Sequence, residues 1–305
     1  MAAASPLRSP RAARVMIAIA LMALLFGVFR VILYQSVTHQ LKLLSQAIPG
    51  CTGLGYAKLT IPYFGFQCRL KDAALFFDGN DQIIVAQSVR IHRFRPGRPF
   101  PRMLDAALTG VTVATDHPLV APLKETLQAM DYHVLAGDIQ MRWMRRGEEL
   151  EEWQADFNLH CSGAGEMDLS LQLDQVNAQG VTLALANPVN WLLVMPAVRL
   201  VAARCRYKDQ GFFHRAVAEA SRRQGRQPEV VQEALQRYFR RQVQSEKDVK
   251  VQALWRSLEA FSRAPGRIAL RTNLHEPVPL GQLWWLQQPR DIIQRLSLES
   301  IAEPR

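Results

Sequence analysis

The hydrophobic pattern opens with an unbroken apolar run, Val15 to Tyr34, holding twenty residues and one charge, Arg30. At about 1.5 Å of helical rise per residue such a run matches the hydrocarbon thickness of a bilayer, about 30 Å. It predicts a transmembrane helix over 15–34. A stripe of Val37, Leu41, Leu44 and Ile48 then predicts a helical extension over 35–50, stopped by Pro49-Gly50. From residue 51 to about 207 the period changes from helical to alternating. Gln67 to Phe77 and Gln82 to Phe94 read as a long hairpin around Asp78-Gly79-Asn80. Leu108 to Val113, Tyr132 to Met144, Glu151 to His160, Val181 to Leu185 and Val198 to Tyr207 read as further strands. Met167 to Leu173 alternates strictly. Strands joined by short polar turns predict an antiparallel meander.

After Tyr207 the helical period returns, predicting a helix-rich region over 208–305. Asp209 is placed to cap a helix from Gly211 to Arg223. Pro228 opens a second, to Val243, and a third runs from Lys247 to Ser262. Arg267 to Leu274 alternates again, with Ile268 and Leu270 opposite Arg267 and Arg271. Leu280 to Leu286 and Ile292 to Leu296 are read as short helices. The predicted fold class is α+β: an N-terminal transmembrane helix, then a curved antiparallel sheet with C-terminal helices packed against it.

Charge adds direction. Arg8, Arg11 and Arg14 precede the apolar run, and Lys42 is the nearest cation after it. That bias predicts a cytoplasmic tail over 1–14 and a translocated bulk, periplasmic in a Gram-negative-type cell. No Ala-x-Ala pattern follows the run, which favours an uncleaved inner-membrane anchor over a signal peptide. Arg30 can snorkel to the headgroups. The stretch Arg199 to Arg263 carries 15 basic and 7 acidic residues. Beside a membrane, such a region suits anionic headgroups ahead of nucleic acid; the plainer reading is a solvated helical face. Arg237, Arg240 and Arg241, on the polar side of the second helix, are the headgroup candidates. Trp284 and Trp285 suit either a membrane interface or ordinary helix packing.

Cys51, Cys68, Cys161 and Cys205 are the four cysteines. None are spaced as CxxC, and an even count in an oxidising compartment permits disulfides. Cys51 with Cys68, and Cys161 with Cys205, is the most local of three connectivities. There is no Gly-rich phosphate loop, nucleophile elbow or zinc helix. Glu148, Glu149, Glu151 and Glu152 cluster at a turn, where solvated charge is the default. No catalytic residue, metal or cofactor is expected, and the chain is not read as an enzyme.

The order of a single span, a helical extension and long amphipathic strands, with Ala86 to Ile91 followed by Leu108 to Val113, resembles the N-terminal part of AsmA-like envelope proteins over residues 15–115. The resemblance implies inner-membrane anchoring and a curved sheet whose apolar face guides lipid. It covers a third of the chain, and the helices of 208–262 depart from it. The expected function is non-catalytic: binding or helping to transfer lipid through an apolar sheet face. The alternative is an envelope interaction scaffold with a closed core. The expected partners are the lipid bilayer, a phospholipid or fatty acid, and another envelope protein, with no nucleic acid.

Overall fold

In a computed structural model of the chain, residues 27–303 are described, apart from 29, 43–44, 46–50, 63–66, 78–82, 96, 98–99, 118–119, 148–149, 187–189, 285 and 287. The fold is α+β, built on one 11-stranded antiparallel sheet. The strands are β1 (Cys51–Thr60), β2 (Cys68–Phe77), β3 (Ile83–Arg95), β4 (Met103–Ala114), β5 (Val134–Arg146), β6 (Glu151–Cys161), β7 (Gly165–Val176), β8 (Arg199–Asp209), β9 (Arg267–Thr272), β10 (Val278–Pro279) and β11 (Leu298–Glu303). They follow a meander, β1 to β9 in sequence order and then β11, with β10 on β8.

Alternation gives the sheet two unlike faces. Following the register across the strands, Cys68, Ile91, Ala106, Met141, Phe157, Leu169, Cys205 and Leu270 form one transverse apolar row. The adjacent row on the other face runs Arg69, Arg90, Ala107, Gln140, Asn158, Asp168, Arg206 and Ala269. Near β1–β4 the buried positions change parity. In β2 they pass from Cys68 and Leu70 to Ala73 and Phe77, and in β4 from Ala106 to Val111. The change falls at two residues with left-handed backbone, Asp72 (φ 50) and Gly110 (φ 61). A Cβ on Gly110 would also lie 2.5 Å from the Gln87 side chain, so the position takes glycine on two counts.

Helices cover the two ends of the apolar face. Helix α1 (30–42) lays Leu33, Val37 and Leu41 against Ile61, Cys68, Leu70 and Ile91, and leaves Val31 and Ile32 exposed. At the far end α7 (Val249–Arg263) presses Val251, Leu254 and Leu258 onto Leu270 and Leu298. Outside it lies α6 (Pro228–Ser245), and α5 (Phe212–Gln224) precedes both. Asp209 caps as its position predicts, accepting hydrogen bonds from Gly211 N (3.1 Å) and Phe213 N (2.9 Å). Short helices α2 (Lys124–Ala129), α3 (Ala178–Ala186), α4 (Trp191–Val194), α8 (Leu280–Trp284) and α9 (Pro289–Arg295) fill the strand ends.

Several expectations are corrected. Val181 to Leu185 is helical, within α3, not a strand. The sheet is an open path with β1 and β11 at its edges, not a closed or strongly curved one. No described helix is long and apolar enough to cross a membrane. Residues 15–26 of the apolar run, and the tail with Arg8, Arg11 and Arg14, lie outside the described residues. Residues 30–34 belong to α1, whose Leu33 lies on the sheet. The single-pass inner-membrane topology and its periplasmic location are therefore not supported, and the membrane-anchored lipid-transfer reading falls with them. The closed scaffold core fails too, because among the described residues the clusters of buried apolar side chains are separate and do not form one sealed interior.

The disulfides are also absent: all four cysteines are free. The register explains why. Cys51 pairs with Phe77 at one end of the β1–β2 ladder, whereas Cys68 starts β2 at the other. The intervening β-strand length is about 30 Å, against roughly 4–7 Å between bridged Cα atoms. Cys161 and Cys205 sit on β6 and β8, with β7 between them. Two strand spacings already make about 9.6 Å.

Candidate polar-face site

The site begins with the sequence of β8, RLVAARCRYKD, in which alternate residues from 204 carry Arg204, Arg206 and Lys208. In a strand these share one face and stand about 6.8 Å apart. On the neighbouring strand, Arg267 and Arg271 alternate with the inward Ile268 and Leu270. The register then sets Arg204 directly opposite Arg271, and Lys208 directly opposite Arg267. Two more cation pairs recur on the same face near the other edge: Lys58 opposite Lys71, and Arg69 opposite Arg90. Like charges directly opposite in a ladder are destabilising.

Only part of this charge is neutralised internally. Lys208 Nζ lies 3.2 Å from Glu166 Oε1, and Arg271 Nε donates to Glu299 Oε2 at 2.7 Å. Arg204, Arg206 and Arg267 are exposed and have neither ion pair nor hydrogen bond among the described residues. Together with Glu166, Asp168 and Ala269 they line a cavity of about 450 Å³. A second cavity of about 490 Å³ adjoins it over β4–β7, and Asp168, Arg204 and Arg206 line both. Both open on the polar face, not on the apolar face that the lipid reading required.

A different ion pair holds the sheet end beneath α3. Arg145 Nη1 donates to Glu151 Oε1 at 2.8 Å, with the two side chains 5% and 8% exposed. Trp153 Nε1 donates to Glu151 Oε2 at 2.6 Å. Glu151 thus leaves the solvated cluster in which sequence had put it. Glu148 and Glu149 lie outside the described residues.

The sequence-predicted site residues do not converge on this face. Arg237, Arg240 and Arg241 are exposed on α6, which packs on α7, on the opposite side of the sheet. Arg240 Nε pairs with Glu259 at 3.3 Å. Arg30 lies on α1 and donates to Ile61 O at 3.5 Å. Trp284 ends α8, and Trp285 lies outside the described residues. Burial pushes the Cys68 thiol up to about 11, and also raises Cys161 and Cys205, so the thiols are held protonated. No group of three or more His, Cys, Asp or Glu able to hold a metal occurs among the described residues.

No curated protein matches the chain. A family model described as "Uncharacterized protein" matches residues 158–303, less than half of it. That stretch contains β7 to β11 and with them Arg204, Arg206, Lys208, Arg267 and Arg271. It shares no residue with 15–115, so it gives no support to the expected AsmA-like resemblance.

Proposed function

We propose that this protein is a binding module that takes an anionic ligand, through phosphate or carboxylate groups, on the polar face of β8 and β9, without turnover. One observation carries the reading: arginine stands opposite arginine, and lysine opposite arginine, on adjacent strands. A sheet gains about 0.2–1 kcal/mol from well-matched cross-strand pairs and loses stability from like charges. An anion seated between the guanidiniums removes that penalty and supplies charge-assisted, bidentate hydrogen bonds. The net charge of +10 draws anions toward the molecule at long range. Tyr207 is the one aromatic residue lining the first cavity among the described residues. A single ring offers no series of platforms for the successive bases of a single-stranded nucleic acid, which favours a small ligand.

Calorimetric titration of the full chain with ethyl phosphate at low ionic strength tests this. Saturable binding that weakens with salt, and that Arg204→Glu with Arg206→Glu abolishes, is expected. No binding, or binding indifferent to those substitutions, overturns the proposal.

A further inference from the structure

The cationic half of the polar face does not stand alone. In two neighbouring transverse rows, Glu166 opposite Lys208 and Asp168 opposite Arg206, the charge changes sign between β7 and β8. On β8 and β9 stand Arg204, Arg206 and Arg267, and on β6 and β7 stand Asp156 and Asp168. Asp168 lies directly opposite Arg206, and Asp156 lies opposite Ser170, two residues along β7 from Asp168. The two carboxylates are thus diagonal neighbours. Both are held by neutral donors: Ser170 Oγ (2.6 Å) and Gln154 Nε2 (3.3 Å) donate to Asp156, and Asn158 Nδ2 (2.5 Å) donates to Asp168. Neither carboxylate has an ion-pair partner among the described residues. The nearby Arg142 is engaged by Asp105 at 3.6 Å.

We infer that the ligand of this face is amphoteric: a small phosphate monoester that also carries a primary amine, its phosphate on Arg204, Arg206 and Arg267 and its ammonium between Asp156 and Asp168. The inference rests on the anion-binding reading above and narrows it. An ammonium presents three donors and no acceptor, whereas ionised carboxylates only accept, so the two match. Adjacent strands lie about 4.8 Å apart, which puts the acidic positions one to two strands, roughly 5–10 Å, from Arg204 and Arg206, with Arg267 one strand further. An amine and a phosphate joined by a two-carbon linker span that step. The same carboxylates repel a second anionic group, so the face discriminates against ligands with charge of one sign.

The test compares O-phosphoethanolamine with ethyl phosphate, which differ only in the amine, by calorimetry on the full chain. O-phosphoethanolamine is expected to bind about tenfold more tightly. Asp156→Asn with Asp168→Asn should remove that advantage, while ethyl phosphate, relieved of two nearby carboxylates, should bind at least as tightly as before, which also shows that the variant is folded. Equal affinity of the two compounds for the unaltered protein overturns the amphoteric ligand and leaves anion binding standing. Failure of both to bind overturns the anion-binding reading itself. Co-sedimentation with phosphatidylethanolamine vesicles, competed by soluble O-phosphoethanolamine, would assign the amine phosphate to a lipid headgroup. Binding of the soluble compound without sedimentation would assign it to a free metabolite. Either result supports the inference.

Discussion

Arg204 on β8 and Arg271 on β9 occupy facing positions in one antiparallel ladder, and of the two only Arg271 has a carboxylate, Glu299, beside it. Affinity and stability should therefore move in opposite directions at position 204. Arg204→Thr is expected to raise the urea midpoint, by a gain of about 0.2–1 kcal/mol, because it removes a facing like charge and adds a β-branched residue. The same substitution should weaken ethyl phosphate binding. A variant that is both less stable and fully competent would contradict this account of the face.

The buried pair beneath α3 gives a second expectation. Glu151→Ala removes the carboxylate that balances Arg145 and accepts from Trp153. Breaking a buried ion pair from one side costs about 3–5 kcal/mol. Replacing both residues, Arg145→Met with Glu151→Leu, should cost much less. Chemical denaturation of the two variants checks the difference; equal losses would mean that the pair is not what holds this end.

Asp248 caps α7, accepting from Lys250 N (2.8 Å) and Val251 N (3.1 Å) and from Gln294 Nε2 (2.9 Å). The hydrogen bond from the Val251 amide, then that from Gln294, holds its carboxyl below the ordinary 3.8. A depressed folded value favours the ionised form, so the contribution is complete above about 3.8 and is lost as pH falls through the folded value. Asp248→Asn should lower stability at neutral pH, where the ionised carboxylate contributes in full, and make progressively less difference as pH falls, so that the acid limb flattens. An unchanged acid limb would remove Asp248 from the account.

Cys68 is 7% exposed, and its thiol is raised to about 11 by burial. In the native protein at pH 8 it should resist iodoacetamide, whereas denaturation exposes four alkylatable thiols. The stability that its buried neutral thiol contributes is present below the ordinary 9.0 and is lost as pH rises toward about 11. Intact-mass measurement after alkylation reads both the protection and the absence of disulfides.

Gly137 tests the close approach of β5 to β6. A Cβ there would meet His160 O at 1.7 Å, a backbone atom that cannot swing aside. Gly137→Ala should destabilise by about 1–3 kcal/mol or more. Retained stability in thermal unfolding would show that the two strands can separate there freely.

The parts of this architecture written in local pattern were legible. The strict alternation of 167–173 lies within β7, and Asp209 accepts from the Phe213 amide in the first turn of α5. Short apolar runs were not, because periodicity cannot separate a buried strand from a buried helix over five residues; hence Val181 to Leu185 was read as a strand. Strand β11 (LESIAE) went unread at the end of the tail. The candidate site was hidden for a different reason. The basic excess of 199–263 is visible as a count, and the arginines of α6 attracted it. The facing of Arg204 and Arg271 exists only once β8 and β9 are in register, across the three intervening helices. The alternation of Arg204, Arg206 and Lys208 was the available signal.

The meander order has a consequence for how this molecule comes apart. Each strand from β1 to β7 is held laterally only by its neighbours in sequence, and β1 has one neighbour alone. Ladder hydrogen bonds then accumulate along the chain as in a row of coupled units, with α1 packed across the first strands. Unzipping can begin at β1 and travel inward one hairpin at a time. Amide protons should exchange in a graded series, fastest at that edge and slowest in the middle strands. The charged face of β8 sits near the opposite edge, so loosening at β1 would reach it last.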